Sequence, residues 1–416
     1  MALSQMMQHY LSVKEKYADA VLFYRLGDFY EMFFDDAIKV SKLLDLTLTG
    51  RDCGLEERAP MCGIPFHASD VYIAKLVAAG EKVAICEQLT EPTGGKGLVE
   101  RDVIRVVSAG TLTDESMLDE KSNNYIACAY KNEDECAVAW TDITTGEFCV
   151  QEFVGNKAVE EVVGHLLRIG AVEIIANDDM ALAVKGFKEV RHNLLPPFSC
   201  YVPWAFNVKH AEKNLLAQLG AASLAAYGIG AKENAISAAG ALVEYLRETQ
   251  KHSLPNLNAI KLVNRDKFMV LDSIAVRNLE LVRNNAENKK YGSLLWVLDK
   301  TKTAMGARML HNMLLSPLKD IDDIVYRQQG VAELYNALVV RMSIADTLRE
   351  VKDVERLSGK ISNGNFMPRD CVALANSLNA LPALKFHLIG FASKILCDER
   401  NCGRTACAFK GRRLYS

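Results

Sequence analysis

Ala20-Val21-Leu22-Phe23-Tyr24-Arg25-Leu26, followed at once by Gly27-Asp28-Phe29-Tyr30-Glu31-Met32-Phe33, decides how the first part of this chain folds. The first seven residues are an apolar and aromatic run of strand length, and Gly-Asp interrupts it. Beyond the interruption, Phe29 and Glu31 stand two residues apart. On an extended backbone they fall on the same side, because strand side chains alternate with period two. A ring and a carboxylate side by side at a strand exit can wedge into a base stack and hydrogen-bond an unpaired base edge. The plainer reading is a core phenylalanine and a glutamate that begins a helix.

Around this stretch, residues 1–110 read as a mixed α/β unit. Residues 4–17 have helical apolar spacing, with Met7, Tyr10, Leu11 and Val13 recurring along it. Residues 33–44 return to a helical pattern, and Asp35 and Asp36 suit a helix N-terminal turn. A second helix is predicted over 68–79, stopped by Gly80. Residues 83–88 and 103–107 are short β-rich runs. Between them lies Thr93-Gly94-Gly95-Lys96-Gly97. A phosphate loop needs Ser or Thr after the lysine and a helix beyond it, so this run reads as a surface turn.

With 416 residues the chain exceeds one ordinary core and predicts two to four domains. Half its residues are apolar and 24% are charged, as in a globular protein. No secretory signal opens it, and no run of about eighteen uncharged apolar residues crosses a membrane. Eleven scattered cysteines, an odd number, fit the reduced thiols of a cytoplasmic protein. The net charge is −3, and residues 1–110 carry 12 Lys and Arg against 16 Asp and Glu. Phosphate contacts supply most non-specific affinity, so this acidic unit should bind duplex weakly alone.

Several segments together resemble the MutS family of DNA mismatch-recognition proteins. They are Leu22-Phe23-Tyr24-Arg25-Leu26-Gly27-Asp28-Phe29-Tyr30-Glu31-Met32-Phe33, Pro60-Met61-Cys62-Gly63-Ile64-Pro65-Phe66-His67-Ala68, Tyr72-Ile73-Ala74-Lys75-Leu76-Val77 and Val83-Ala84-Ile85-Cys86-Glu87-Gln88. Val99-Glu100-Arg101, Arg105-Val106-Val107, Leu279-Glu280-Leu281 and Met305-Gly306-Ala307-Arg308-Met309-Leu310 extend the likeness to about Leu396. The resemblance implies a multidomain chain: an α/β mismatch-binding domain over 1–112, an α/β connector of ribonuclease H-like fold over 121–255, and the first part of a mainly α-helical core and lever domain over 258–396. It places the family's Phe-x-Glu pair on Phe29 and Glu31. Arg25, Arg51, Lys75, Arg101 and Arg105 are candidate DNA-backbone contacts, with surface ion pairing as the alternative role.

The implied partner is double-stranded DNA with mismatches or small loops, with MutL and a second MutS subunit as protein partners and no membrane. ATP and magnesium serve the intact family through a later ATPase domain. No Walker A motif occurs here, so the chain is expected to need no cofactor and to hydrolyse no ATP. Two rival readings are a non-catalytic interaction or scaffold fragment without autonomous DNA binding, and a metal-dependent nuclease.

In the connector, residues 125–130, 136–142 and 147–152 read as three β runs, with Thr144-Thr145-Gly146 as a tight turn. Residues 158–169 (helix) and 173–176 (strand) follow. A nuclease would need carboxylates converging on metal ions. Asp134, Glu135, Asp142 and Glu147 are the acids at hand, and Asp142 reads as a turn-stabilising residue. From 256 the pattern is helical: 272–283 with Asp272 as N-cap, 293–300, 303–315, a long amphipathic segment over 321–351, and 369–381. Apolar faces along 321–351 are expected to be exposed. The divergent tail, 397–416, holds Cys397, Cys402 and Cys407, with His387 nearby. That ligand count and spacing do not suit structural zinc, and the tail reads as the end of a truncated or frame-shifted product.

Overall fold

The computed structural model describes residues 3–54, 57–90, 100–192 and 194–401. It divides into two units, Met1–Met117 with Glu244–Ser253, and Leu118–Val243 with Leu254–Ser416.

In the first unit, helix α1 (Gln5–Lys16) starts at Ser4, whose hydroxyl accepts from Met7 N. Strands β1 (Ala20–Leu26) and β2 (Phe29–Phe33) form a hairpin, and α2 (Phe34–Leu44) follows directly. Next come β3 (Thr49–Arg51), β4 (Ala59–Pro65), α3 (Ser69–Ala78), β5 (Lys82–Gln88) and β6 (Arg101–Val107). The sheet order is β3-β4-β2-β1-β5-β6, with β1 and β5 parallel and the other pairs antiparallel. One face packs Leu22, Tyr24, Phe33, Ala84 and Val106 beneath Met7, Tyr10 and Val13 of α1. Asp36, buried at the start of α2, accepts from Lys14 Nζ and Leu22 N, both at 2.9 Å. That carboxylate ties α1, β1 and α2 together, a role beyond favouring a helix terminus.

Sequence spacing finds α1, β1, α2, α3, β5 and β6 of this unit, but does not assign β2, β3 or β4 as strands. Pro60, Gly63 and Pro65 weaken the strand signal of β4. Pairing with β2 on one side and β3 on the other overrides it. The Thr93–Gly97 turn lies outside the described residues.

The second unit begins with β7 (Ile126–Asn132), β8 (Glu135–Asp142) and β9 (Glu147–Val154), an antiparallel meander. Helix α4 (Ala158–Ile169), β10 (Glu173–Ala176), α5 (Asp178–Val184), the short α6 (Lys188–Arg191), β11 (Phe198–Cys200), α7 (Val208–Leu219), α8 (Glu233–Gln250) and β12 (Lys261–Leu262) follow. Strand order is β11-β10-β7-β8-β9-β12. Its core gathers Trp140, Phe153, Val162, Leu166 and Ile174. The last turns of α8 belong to the first unit, where Gln250 Nε2 donates to Val106 O at 3.5 Å.

The helical remainder comprises α9 (Ser273–Asn278), α10 (Leu294–Leu298), α11 (Ala304–Leu315), α12 (Ile321–Asn336), α13 (Leu338–Glu350), α14 (Val354–Ser362), α15 (Pro368–His387) and α16 (Lys394–Asn401). Three expectations are corrected here. Asp272 caps α9 as read, accepting from Ala275 N at 2.6 Å, but the helix ends at Asn278 and not at 283. Glu280 turns to φ +47°, and the Asn284 side chain then bonds Glu287 N, Lys289 N and Tyr291 O, a local alternative to helical bonding. The segment over 321–351 is two helices broken at Ala337, where Arg341 Nη1 takes the freed carbonyls of Leu334 and Tyr335. Helix α15 runs six residues past 381, through Pro382, because Leu384 packs with Val351, Val354 and Ala380. Val331, Tyr335, Val339 and Met342 of α12 and α13 are exposed, as the amphipathic pattern led one to expect.

Arg308 of α11, buried, binds both oxygens of Asp353 at 2.7 and 2.9 Å, Glu355 at 2.6 Å and Glu120 O at 3.0 Å. Arg356 of α14 donates to Asp119 O and Ser122 O at 3.0 and 2.9 Å. Gly359 sits so close to the β8–β9 turn that a Cβ there would lie 2.1 Å from Thr144 O. These contacts hold the helical segment on the β meander.

Candidate nucleic-acid interface

The β1–β2 hairpin presents Phe29 and Glu31. Gly27 takes φ +58°, a left-handed conformation open to glycine at little steric cost, and closes the turn. Leu26 then pairs with Phe29, and Tyr24 with Glu31. Phe66 N donates to Asp28 O at 3.0 Å and fastens the turn to the end of β4.

Alternation along β2 separates two environments. Tyr30 and Met32 are 6% and 0% exposed, inside the domain. Phe33 is buried under α1, edge-on to Tyr10 at 5.0 Å. Phe29, on the same face as Phe33, lies outside that core cluster and is 48% exposed. The face thus passes from covered to open within four residues, and an apolar ring stands at the open end beside a carboxylate.

Glu31 pairs with Arg51 of β3, their side chains 17% and 38% exposed. The Arg51 guanidinium also lies 6.0 Å from the Phe33 ring. Arg25 stacks on Phe66 at 3.5 Å and approaches Glu87 at 3.5 Å, while the Tyr30 hydroxyl donates to the same Glu87. Burial, then Glu87, push the Tyr30 phenol well above its ordinary range. Arg101 donates to Arg25 O at 2.9 Å and lies over Tyr24. Arg105 donates to Thr111 O at 2.7 Å with its Nε enclosed, and burial lowers its pKa against the pull of Asp70 and Asp114. Lys75 is exposed on α3, 5.9 Å from the Tyr72 ring.

Of the five basic residues read from the sequence, then, Arg25, Arg51, Arg101 and Arg105 each have a partner inside the domain. Sequence reading missed the Arg51–Glu31 pair, because the strands that carry Arg51 across to β2 were not legible. It also missed the Arg25–Phe66–Glu87–Tyr30 cluster, which joins residues up to 62 positions apart. The one signal for that cluster was Glu87 at the end of an otherwise apolar β run.

The carboxylates of the second unit serve as structural bonds. Asp142 accepts from Thr144 N and Oγ1 at 2.9 and 2.6 Å, from Asn124 N at 3.0 Å and from Asn123 Nδ2 at 3.3 Å. This is the turn-stabilising role read from the sequence. Glu147 accepts from the Tyr125 hydroxyl at 2.6 Å, and burial raises its pKa. Glu135 lies at the other end of β8 and accepts from Asn234 at 2.6 Å. Among the described residues no group of three or more His, Cys, Asp or Glu could hold a metal ion. Cys402 and Cys407 lie outside the described residues. Nor is any helix among them long and apolar enough to cross a membrane.

Three family models match the chain: MutS domain I over residues 4–116, MutS domain II over 124–258 and MutS domain III over 274–409. Among curated relatives, the DNA mismatch repair protein MutS of Alkaliphilus oremlandii is 42% identical over 385 residues, covering 92% of this chain and 44% of that protein. The MutS of Lachnoclostridium phytofermentans is 42% identical over 95% of this chain and 42% of its own length. That of Ruminiclostridium cellulolyticum is 42% identical over 96% and 45%. The chain therefore spans less than half the length of the curated relatives it matches.

Proposed function

This chain belongs to the MutS family, and we propose that its first domain detects mispaired DNA by inserting the Phe29 ring between base steps. The half-exposed ring beside Glu31 at the open end of the α1 face is the observation that carries this reading. Insertion unstacks the bases at a cost of about a few kcal/mol per step and kinks the duplex. At a mispair or small loop the stacking is already weakened, so the same insertion costs less. A difference of ~1.4 kcal/mol gives about tenfold discrimination before any base is read. Deformability, more than a base code, is thus the selected property.

Glu31 adds a second selection. Its carboxylate can accept from a Watson–Crick-edge N–H that a mispaired base leaves without a partner, whereas in a matched pair that N–H is already taken and phosphates repel the acid. Exposed Lys75 is the candidate phosphate contact with least competition from within the domain, and Arg25 and Arg101 brace the hairpin that carries the ring. The β9-β8-β7-β10-β11 arrangement, with β10 and β11 parallel to β7, supports the ribonuclease H-like reading of the connector. The long helices after it support a lever role.

In the full-length family protein, pairing with a second MutS subunit, signalling to MutL and ATP use with magnesium complete this proposal, in a cytoplasmic repair role. The sequence holds no Gly-Lys-Ser or Gly-Lys-Thr, so no nucleotide step is routed through these residues. The acidic balance of the first domain favours a second reading, an interaction module without duplex affinity of its own. Fluorescence anisotropy with a labelled G·T heteroduplex and its matched homoduplex, at low salt, separates the two. Tighter binding to the heteroduplex supports mismatch detection, and absence of binding to either supports the interaction module.

A further inference from the structure

We propose that Arg51 is a positioning residue for Glu31: it holds the carboxylate beside Phe29 and balances its charge, so it acts on mismatch preference and not as a phosphate contact. The inference rests on the mismatch reading of Phe29 and Glu31.

The geometry is built across three strands. Arg51 closes β3, which pairs with β4, and β4 pairs with β2 so that Gly63 lies opposite Glu31. The guanidinium therefore reaches over β4 to meet a carboxylate two strands away. A Cβ at Gly63 would meet Glu31 Cγ at 3.6 Å, an ordinary contact distance, so the carboxylate stem lies over β4 on the side from which Arg51 reaches. The Phe33 ring, 6.0 Å away, favours the cation from the covered side of the sheet. Arg51 is the cation that meets Glu31 by ion pair in this structure, and the pair is partly shielded from solvent.

Two consequences follow. Glu31 is held in one orientation before DNA arrives, which lowers the ordering needed to meet a base edge. The pair as a unit carries no net charge, so the hairpin approaches phosphates without the repulsion that a lone carboxylate would bring. A base N–H then competes with the guanidinium for the carboxylate, and a mispaired base offers one on its Watson–Crick edge that pairing would otherwise occupy. The ion pair engages Nη1, so a phosphate would have to share the guanidinium with Glu31.

A double-mutant cycle tests this on the whole chain, read as the ratio of heteroduplex to homoduplex affinity by anisotropy at low salt. Arg51→Ala is expected to lower that ratio roughly three- to tenfold. In a Glu31→Ala background the same change should leave the ratio unaltered, and Arg51→Lys should restore part of it. Equal loss of affinity for both duplexes, persisting without Glu31 and lowering the salt dependence by about one phosphate contact, overturns the inference in favour of direct backbone binding. An exchanged pair, Glu31→Arg with Arg51→Glu, keeps the ion pair; if it also keeps the preference, the role is structural and the inference is overturned. A Glu31→Ala chain that discriminates as well as the parent, or a parent that binds neither duplex, overturns the mismatch reading itself.

Discussion

Replacing Phe29 by alanine should remove mismatch preference while leaving the domain folded. Phe29 is 48% exposed, so of the roughly 200 Å² a phenylalanine can bury, about 100 Å² remains for bases to cover. At ~25 cal/mol per Å² this area stabilises an inserted ring by about 2.5 kcal/mol, or ~70-fold in affinity. Unstacking a sound step costs about as much, a few kcal/mol, and cancels the gain on matched DNA. On a mispair the cost is partly absent, so the gain survives there. Phe29→Ala should weaken heteroduplex binding ~10- to 70-fold, and homoduplex binding by less than about twofold, since phosphate contacts are untouched. Phe29→Leu should fall between. Anisotropy titrations of a G·T duplex and its matched control give both constants. Chemical denaturation should register a loss below ~2 kcal/mol, because a half-exposed ring contributes less than a core one. Equal losses on both duplexes, or none on either, refute the wedge.

Other perturbations probe the scaffold. Arg308→Ala leaves Asp353 and Glu355 without their shared buried cation and should destabilise the second unit by ~3–5 kcal/mol. All three tryptophans, Trp140, Trp204 and Trp296, lie in that unit, so urea unfolding followed by their fluorescence reads the change. Burial alone would raise the pKa of Asp299, but hydrogen bonds from Lys290, Thr301 and Lys121 hold it well below the usual 3.8. A depressed carboxyl stabilises the fold above its unfolded pKa and loses that contribution as pH falls through the folded one. Asp299→Asn should therefore lower stability by a constant amount above about pH 5, and the difference from the parent should shrink below about pH 4, in parallel pH-dependent melts. Burial pushes the Cys62 thiol up to about 11 and Cys86 up to about 12. At pH 8 a thiol reagent should modify exposed Cys371 first, exposed Cys200 more slowly because its hydrogen bond with Asp178 raises that thiol's pKa, and Cys62 and Cys86 only on unfolding, as mass mapping of labelled peptides would locate.

Much of the fold follows from local pattern. Strand β1, helix α4 and strand β10 fall at the residues their spacing predicts, because each is a short run whose apolar period has one solution. Asp272 caps its helix as read, and Ser4, Ser293 and Thr303 cap theirs in the structure. Misreadings cluster where long-range contacts outweigh local preference. Pro60, Gly63 and Pro65 argue against a strand, yet β4 forms between two partners. Pro382 argues for a helix end, yet packing of Leu384 carries α15 past it. Ala337 argues for nothing, and the helix breaks there.

By itself the sequence determined the three successive domains of the family, strand β1 and the placing of Phe29 and Glu31 on one side of an extended backbone. Period, turn residues and segment likeness are all local, so no distant contact was needed. Whether that side faces water was decided by tertiary structure, because α1 covers Phe33 and stops short of Phe29. The same holds for Arg51, which meets Glu31 only because β4 brings β3 within reach of β2. Alternation gives a side chain its direction along one strand, and only the packing of other segments gives it a neighbour.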